Sequence, residues 1–442
     1  MRDNEPPLPR NVAGADEAYA LTLADVLGKG QICKQGDVSA SVGSGKESKE
    51  ILNYATVLEH PRERLVFNDK RRLNLPGAVA RFVWMMAASD RLADIAFYEE
   101  KVKYFSDNGI AVPGSNYGQR MLSPRPGLNQ LESVIRRLRG DPSSRRAAIS
   151  IFQAEDAVRE SKDIPCTFGL FFHIRGGVLR ATTLMRSNNA FVLLPYNLFE
   201  FSLLAEIVAA ELGVPLGPLT HQAVSMHIYA SDYNNAQEVA EAWDATKQST
   251  TPKIPEMPNR PGPLGQVTEL VILEAHLRHG SAGVNARNIE EWIERGAAKL
   301  HPYWAQLYYL LLLHVAQKNG DRGALASLET LIKEPWYSYL PAGAFTAGIP
   351  VPNEVPTAIE SPQDESQGTK IVSIYSTRKV QSLKNRVSEW EKESKRKMSW
   401  SQFSKIQDVF MERVAARDLD SEVSREEFLA VVKMTADKED GG

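Results

Sequence analysis

Apolar positions along the chain change period several times, and each change marks an element. The stretches ILNYATVLEHP (51–61) and RERLVF (62–67) alternate and are β-branched in part, which predicts strands. LPGAVARFVWMMAAS (75–89) has a helical apolar face opened by a proline, and NQLESVIRRLRGDP (129–142) is a short amphipathic helix closed by Gly-Asp-Pro. RRAAISIFQ (145–153), TFGLFFHIRGGVLRATTLM (167–185) and the region around MHIY (226–229) read as strands, with the Arg-Gly-Gly at 175–177 marking a hairpin turn. YNLFEFSLLAEIVAAELG (196–213) is apolar around most of its circumference and ends at glycine, which predicts a long buried helix.

These periods divide the chain. Residues 1–15, rich in Pro and charge, read as a disordered leader, and 16–255 mix helical and strand periods. A proline-rich joint, TTPKIPEMPNRPGPLG, introduces an α-helical domain over 256–345 whose four helical stretches suggest a small array without a nameable repeat. A linker at 346–375 follows, and then a charged helical tail over 376–442. In that tail SLKNRVSEWEKESKRK is heptad-like, and SREEF sets Ser424 against Glu427 as a capping box. The tail reads equally as a hairpin that binds a protein partner or as a solvated appendage.

Charge and cysteine count narrow the class. The chain has 442 residues, a net charge of −3 and 24% charged residues, which gives no support to a broad nucleic-acid or membrane surface. Two cysteines argue against a disulfide framework and suit a reducing, cytoplasmic setting. The N-terminus lacks an apolar signal region, and LYYLLLLHVA (307–316) is too short to span a bilayer and reads as a buried helix. Two apparent motifs fail. GSGKES has Ala40 and Glu47 where a phosphate-binding loop needs Gly and Ser or Thr, and DLDSEVSREEFL has Val423 and Leu429 where a calcium loop needs Gly and Glu.

Cys166 is the candidate nucleophile. It follows a proline at the head of a strand-like stretch, with Arg145 and Arg146 about twenty positions upstream and Arg186-Ser187 the same distance downstream. Cationic neighbours lower a thiol's pKa, and forked guanidiniums hold phosphate, so the spacing suggests covalent chemistry on a nucleotide. Spacing alone also suits an inert buried cysteine beside surface arginines.

With its surroundings the region resembles the thymidylate synthase superfamily over 16–255. The order of motifs carries the resemblance: SNYGQR (115–120) for G-x-x-Y-G-x-R, NQL (129–131), DPSSRRAAI (141–149) for D-P-x-S-R-R, IPC (164–166), MRSNNAFVLLPYN (185–197) and SMHIY (225–229) for H-x-Y. It implies an α/β (α+β) fold with a mixed, mostly antiparallel sheet, here followed by an all-α region. It also implies a pyrimidine nucleoside monophosphate as substrate, 5,10-methylenetetrahydrofolate as one-carbon donor, and a homodimer with shared active sites. Cys166 and Tyr117 would belong to the catalytic set. Arg186 and Ser187 would hold the 5′-phosphate, joined by Arg145 and Arg146 from the partner subunit. Asn197 would pair with O4 and N3–H of uracil, where an aspartate would favour cytosine. His227 and Tyr229 would hold the sugar 3′-hydroxyl, and Asn189 and Trp84 would face the substrate and donor.

Departures from the family pattern fall on the donor and proton-transfer side. Arg81 stands where the general-base glutamate belongs, and a guanidinium is no base at physiological pH. It could instead steady an enolate oxygen, lower the thiol pKa or bind another anion. Asn189 replaces the folate-binding aspartate, Leu193 a turn glycine, Phe171 a glutamine and Thr167 a histidine, while Ser44 takes the place of a phosphate-loop arginine with Lys46 nearby. Two functions follow as expectations. One is an enzyme modifying C5 of a uridylate through a Cys166–C6 adduct, by methyl or hydroxymethyl transfer. The other is a catalytically impaired homologue that senses a pyrimidine nucleotide and acts through its C-terminal helices.

Overall fold

A computed structural model describes residues 9–34, 47–68, 70–125, 127–243, 253–341, 343–346 and Leu429. The two failed motifs, apart from Glu47, Ser48 and Leu429, and also Ser44, Lys46, nearly all of the 346–375 linker and the tail's helical stretches, lie outside the described residues.

Among the described residues, eight strands form one mixed sheet: β1 (Arg10–Val12), β2 (Gln31–Lys34), β3 (Glu47–Leu58), β4 (Ala148–Ser150), β5 (Thr167–Arg175), β6 (Val178–Met185), β7 (Asn188–Asn189) and β8 (Leu216–Tyr229). The main path runs β1-β3-β8-β6-β5-β4, with β2 on β3 and β7 on β8. Pairs β2/β3, β3/β8, β4/β5 and β5/β6 are antiparallel; β1/β3, β6/β8 and β7/β8 are parallel. The β5–β6 hairpin turns on Gly176 and Gly177, both at positive φ (60° and 77°), which a side chain would resist.

Two sequence expectations change here. The leader is not wholly outside the fold, because β1 pairs with Thr56, Val57 and Leu58 of β3. RERLVF is not a strand: residues 62–66 lie in no element, and Phe67 makes only an isolated bridge to Arg72. Its alternation instead delivers Arg62 and Arg64 to one carboxylate, Glu206.

Helix α1 (Ala15–Lys29) and helix α6 (Leu194–Leu212) pack on the sheet. Their partners are the in-register buried row that includes Phe172, Ala181 and Leu219. The next row, including Phe171, Thr182 and Thr220, faces the other way and is more exposed. Helix α2 (Leu75–Met86) starts where the sequence predicts: Asn74 Oδ1 accepts from the Gly77 N–H at 3.2 Å, and Pro76 occupies the first turn. Between α2 and α6 come α3 (Leu92–Ala96), α4 (Tyr117–Leu122) and α5 (Gln130–Gly140), and α7 (Tyr233–Ala242) follows β8.

Among the described residues up to 346, five further helices follow: α8 (Pro263–Gly280), α9 (Ile289–Lys299), α10 (Pro302–Asn319), α11 (Arg322–Leu331) and α12 (Trp336–Tyr339). They pack directly against the sheet-bearing part, with α8 on α2 and α6, and α10 on α2. Charged groups stitch the contact. Arg64, wholly buried, pairs with Glu206 of α6 and reaches the Tyr303 hydroxyl at 3.5 Å, while Arg278 bonds Asp94 at 2.8 Å and Arg72 bonds the Leu340 carbonyl at 2.8 Å. Burial alone would raise the Glu206 pKa, but Arg64 and Arg62 hold it below the usual carboxylate range. Helix α10 is buried along most of its length, and among the described residues no helix is long and apolar enough to cross a membrane.

Candidate active site

Cys166 sits immediately before β5, and its backbone is clamped to the end of β6. The Arg186 N–H donates to the Cys166 carbonyl at 2.8 Å, and its guanidinium bonds the carbonyls of Pro165 (2.8 Å) and Ile164 (2.9 Å). The same guanidinium nitrogen lies 3.9 Å from Cys166 Sγ. The preceding loop is braced from below by Asp163, whose carboxylate accepts from Gly114 N at 2.6 Å. A Cβ on Gly114 would stand 1.9 Å from the Asp163 carbonyl oxygen, which is why this position takes glycine. Gly118 is constrained alike, since a Cβ there would lie 1.6 Å from Met85 O.

The thiol's electrostatics differ from the sequence expectation. Desolvation pushes the Cys166 pKa up, the opposing pull of Arg186 does not match it, and Asp163 adds a lesser upward push. Tyr117 is buried close by; burial first, then the neighbouring Cys166, raises its hydroxyl above the ordinary range, and its ring stacks on Phe201 at 6.2 Å. Tyr229 also senses both Cys166 and Arg186, so these four side chains share one neighbourhood.

The end of β6, β7 and the end of β8 bring the other expected nucleotide residues to the same edge. Ser187 Oγ lies 3.4 Å from His227 Nδ1, and the His227 and Tyr229 rings meet edge-on at 5.0 Å. Burial lowers the His227 pKa, so its ring is neutral at pH 7. Asn197, one turn into α6, is 2% exposed and accepts at Oδ1 from Asn188 Nδ2 at 3.0 Å. Asn189 Oδ1 accepts from Val192 N at 2.9 Å.

Arg81 is not a free cation. Its Nε bonds Glu200 Oε1 at 2.8 Å, a terminal nitrogen lies 3.3 Å from Glu99 Oε2, and its guanidinium sits 5.4 Å from the Tyr196 ring centroid. Burial alone would lower its pKa, but Glu200 and Glu99 raise it, so the charge is fixed and already matched. Burial raises the Glu200 pKa against the pull of Arg81. Trp84, three residues on, is 6% exposed in a cluster with Leu92, Ile95, Val102 and Val112. Its Nε1 has no hydrogen-bond partner among the described residues.

Arg145 and Arg146 do not join this group within the chain. Both are exposed on the approach to β4, and among the described residues neither guanidinium has a hydrogen-bond or ion-pair partner.

Sequence reasoning missed Glu200, Glu99, Asn188, Thr183 and His221. Glu200 carried a readable sign, being a carboxylate one turn beyond Asn197 in a largely apolar stretch of helix, ahead of the other two, Glu206 and Glu211. His221 had one too, an inward position in the alternation of β8. Glu99 had none, because its approach to Arg81 is tertiary.

Residues 19–257 match the family model described as Thymidylate synthase. Among curated proteins, a deoxyuridylate hydroxymethyltransferase of Bacillus phage SP01 is 30% identical over 217 residues, 46% of this chain and 55% of the phage protein, so the chain spans about half of that relative's length. A putative thymidylate synthase of Methanosarcina acetivorans is 32% identical over 158 residues, 34% of this chain and 72% of that protein. The thymidylate synthase of Lactococcus lactis is 23% identical over 241 residues, 53% and 85% of the two chains. Among solved structures, thermostable thymidylate synthase A from Bacillus subtilis aligns with a TM-score of 0.44 and 17% identity over 52% of this chain and 84% of that one. The family match takes in Cys166, Arg186, Asn197 and the His227–Tyr229 pair, and on it the chain belongs to the thymidylate synthase family.

Proposed function

We propose that the chain binds a uridylate-type nucleoside monophosphate and modifies C5 of its base through a covalent Cys166–C6 adduct. The convergence of Cys166, Arg186, Ser187, Asn197, His227 and Tyr229 at one edge of the sheet carries this reading. The Cys166 thiolate adds to C6, and the C5–C6 π electrons move toward C5 and O4. C5 then attacks a one-carbon electrophile at the formaldehyde level, and the C5 proton leaves to a base as the one-carbon carrier departs. The thiolate is expelled when water adds to the resulting methylene to give hydroxymethyl, or when a hydride from a reduced donor adds to give methyl. Methyl or hydroxymethyl transfer is the outcome, and the phage relative named as a deoxyuridylate hydroxymethyltransferase supports the second.

Arg186 and Ser187 take the 5′-phosphate, Asn197 the uracil edge, and His227 with Tyr229 the sugar hydroxyl. Tyr117 lies beside the thiol and helps order the base. The proton-handling carboxyl comes from α6 rather than α2: Glu200 is buried, bonded to Arg81 and within electrostatic reach of Tyr117. Arg81 orients that carboxyl.

The family's cosubstrate, methylenetetrahydrofolate, fits the expected donor residues poorly. A pterin presents paired N–H donors, whereas Asn189 spends its carbonyl on Val192 N and offers no carboxylate. The unpartnered indole N–H of Trp84 is a donor and does not make up the difference. No step is therefore assigned to the folate.

The free guanidiniums of Arg145 and Arg146 suit a phosphate presented by a second copy of the chain, and the exposed Phe171 (37%) and Val224 (42%) on the outer sheet supply an apolar seat for it. The working assembly is a homodimer with shared sites in a reducing, cytoplasmic compartment.

Intact mass after incubation with 5-fluoro-deoxyuridylate, with and without methylenetetrahydrofolate, tests the reading. An adduct lost in Cys166→Ala is the expected result, and the two arms show whether it needs the folate. Tight nucleotide binding with neither adduct nor tritium release from C5 overturns the enzyme. That result favours the second reading, a nucleotide sensor, for which the upward-shifted thiol and the neutralised Arg81 speak.

A further inference from the structure

Four buried polar residues run in a line from the sheet to the base-reading amide. Thr183, His221, Asn188 and Asn197 are 0%, 0%, 1% and 2% exposed. Thr183 Oγ1 lies 2.7 Å from His221 Nδ1, His221 Nε2 lies 2.8 Å from Asn188 Oδ1, and Asn188 Nδ2 lies 3.0 Å from Asn197 Oδ1. The order of atoms gives the line a direction. A carbonyl oxygen only accepts, so His221 Nε2 carries the ring proton. Burial pushes the His221 pKa down to about 4, leaving the ring neutral with one N–H, so Nδ1 accepts and the Thr183 hydroxyl donates. Asn188, held by its oxygen, must then present its NH2 to Asn197.

We infer that this relay from Thr183 through His221 and Asn188 fixes the orientation of the Asn197 amide and thereby decides which pyrimidine the site accepts. The inference rests on the proposed role of Asn197 in reading the base. Uracil offers an N3–H donor beside the O4 acceptor; cytosine offers an N3 acceptor beside an amino donor. An asparagine free to rotate satisfies either, since its two ends exchange roles. With Oδ1 pinned toward Asn188, only one order remains, and the wrong base leaves buried donors facing donors. Asn188, His221 and Thr183 are therefore positioning residues that set specificity without touching the nucleotide.

Asn188→Asp reverses the last link. A carboxylate can only accept, so Asn197 must turn its NH2 toward position 188 and present its carbonyl where the NH2 stood. The test is the ratio of Kd values for deoxycytidylate and deoxyuridylate, measured by calorimetry on the full chain. Wild type is expected to favour deoxyuridylate by roughly 10- to 100-fold, the discrimination a well-placed bidentate contact supplies. Asn188→Asp should narrow that ratio by at least about 10-fold or invert it, while Asn197→Asp shows the cytosine-reading limit. Thr183→Val covers the case in which Asn188→Asp does not fold. Losing the hydroxyl donor frees the ring tautomer, so the ratio should narrow about 10-fold or more with deoxyuridylate affinity changed far less. A wild-type ratio kept in a folded variant, by circular dichroism and thermal midpoint, overturns the relay. Failure of the wild type to bind either nucleotide overturns the uridylate reading, and the relay falls with it.

Discussion

Restoring a carboxylate at position 81 is an obvious way to seek a more ordinary family member, and the structure predicts that it damages the protein instead. Arg81 is the shared cation of two carboxylates, with side chains of Arg81, Glu200 and Glu99 only 15%, 4% and 17% exposed. Removing one partner of a buried pair costs roughly 3–5 kcal/mol, because the other charge stays buried and unmatched. Arg81→Glu does this twice and adds a third carboxylate, so about 4 kcal/mol or more of stability should be lost. Urea unfolding followed by tryptophan fluorescence measures it, with Arg81→Met as the neutral control. In Arg81→Met the burial that raises the Glu200 pKa acts without its cation. The folded pKa then lies above the unfolded one, so the deficit is largest above the folded pKa and shrinks as pH falls through it. The charge exchange Arg81→Glu with Glu200→Arg should recover more than either single change. A loss below about 1 kcal/mol in Arg81→Glu would show that Glu200 and Glu99 do not hold the guanidinium.

Glu200→Gln should cut tritium release from C5-labelled deoxyuridylate at least about 100-fold, with nucleotide Kd within a few fold; unchanged release removes Glu200 from proton handling. The rate of Cys166 alkylation against pH should show a midpoint above that of a free cysteine, and Arg186→Ala should move it further up, because the arginine pulls down and burial pushes up. A midpoint below the free value contradicts a desolvation that outweighs Arg186. Gly118→Ala should cost about 1–3 kcal/mol or more, read as a lower thermal midpoint, because its methyl would meet Met85 O at 1.6 Å.

Much of the site was legible because its residues travel in short motifs. IPC marked Cys166 as the candidate nucleophile. R-S was read as a phosphate holder, and in the structure Arg186 also bonds the carbonyls of Ile164 and Pro165, while Asn197 and H-x-Y sit near helix and strand ends. The hairpin at Gly176–Gly177 and the proline-opened start of α2 were local patterns and needed no tertiary knowledge. Charge pairing across long separations was not legible. Arg81 read as an open cation until Glu99 and Glu200 stood beside it, and RERLVF read as a strand because nothing local announces that Arg62 and Arg64 pair with Glu206. The thiol's shift was misjudged for a related reason. Sequence shows the arginine, whereas the desolvation that outweighs it is a property of the packed fold.

Helix α6 has two customers. Asn197 bonds Asn188 and Glu200 bonds Arg81 near its start, and Glu206 receives Arg62 and Arg64 roughly two and a half turns after Asn197, on the opposite side of the axis. Glu211, near its end, accepts from the Leu264 N–H at the start of α8. Residues 19–257 therefore mark where the family's pattern stops but not where the packing stops. A chain cut there would strip α10 from α2, take the Tyr303 hydroxyl from buried Arg64, and leave α6, the helix that carries Asn197, without α8. Conversely, any displacement of α8 bears on the same helix that carries Asn197.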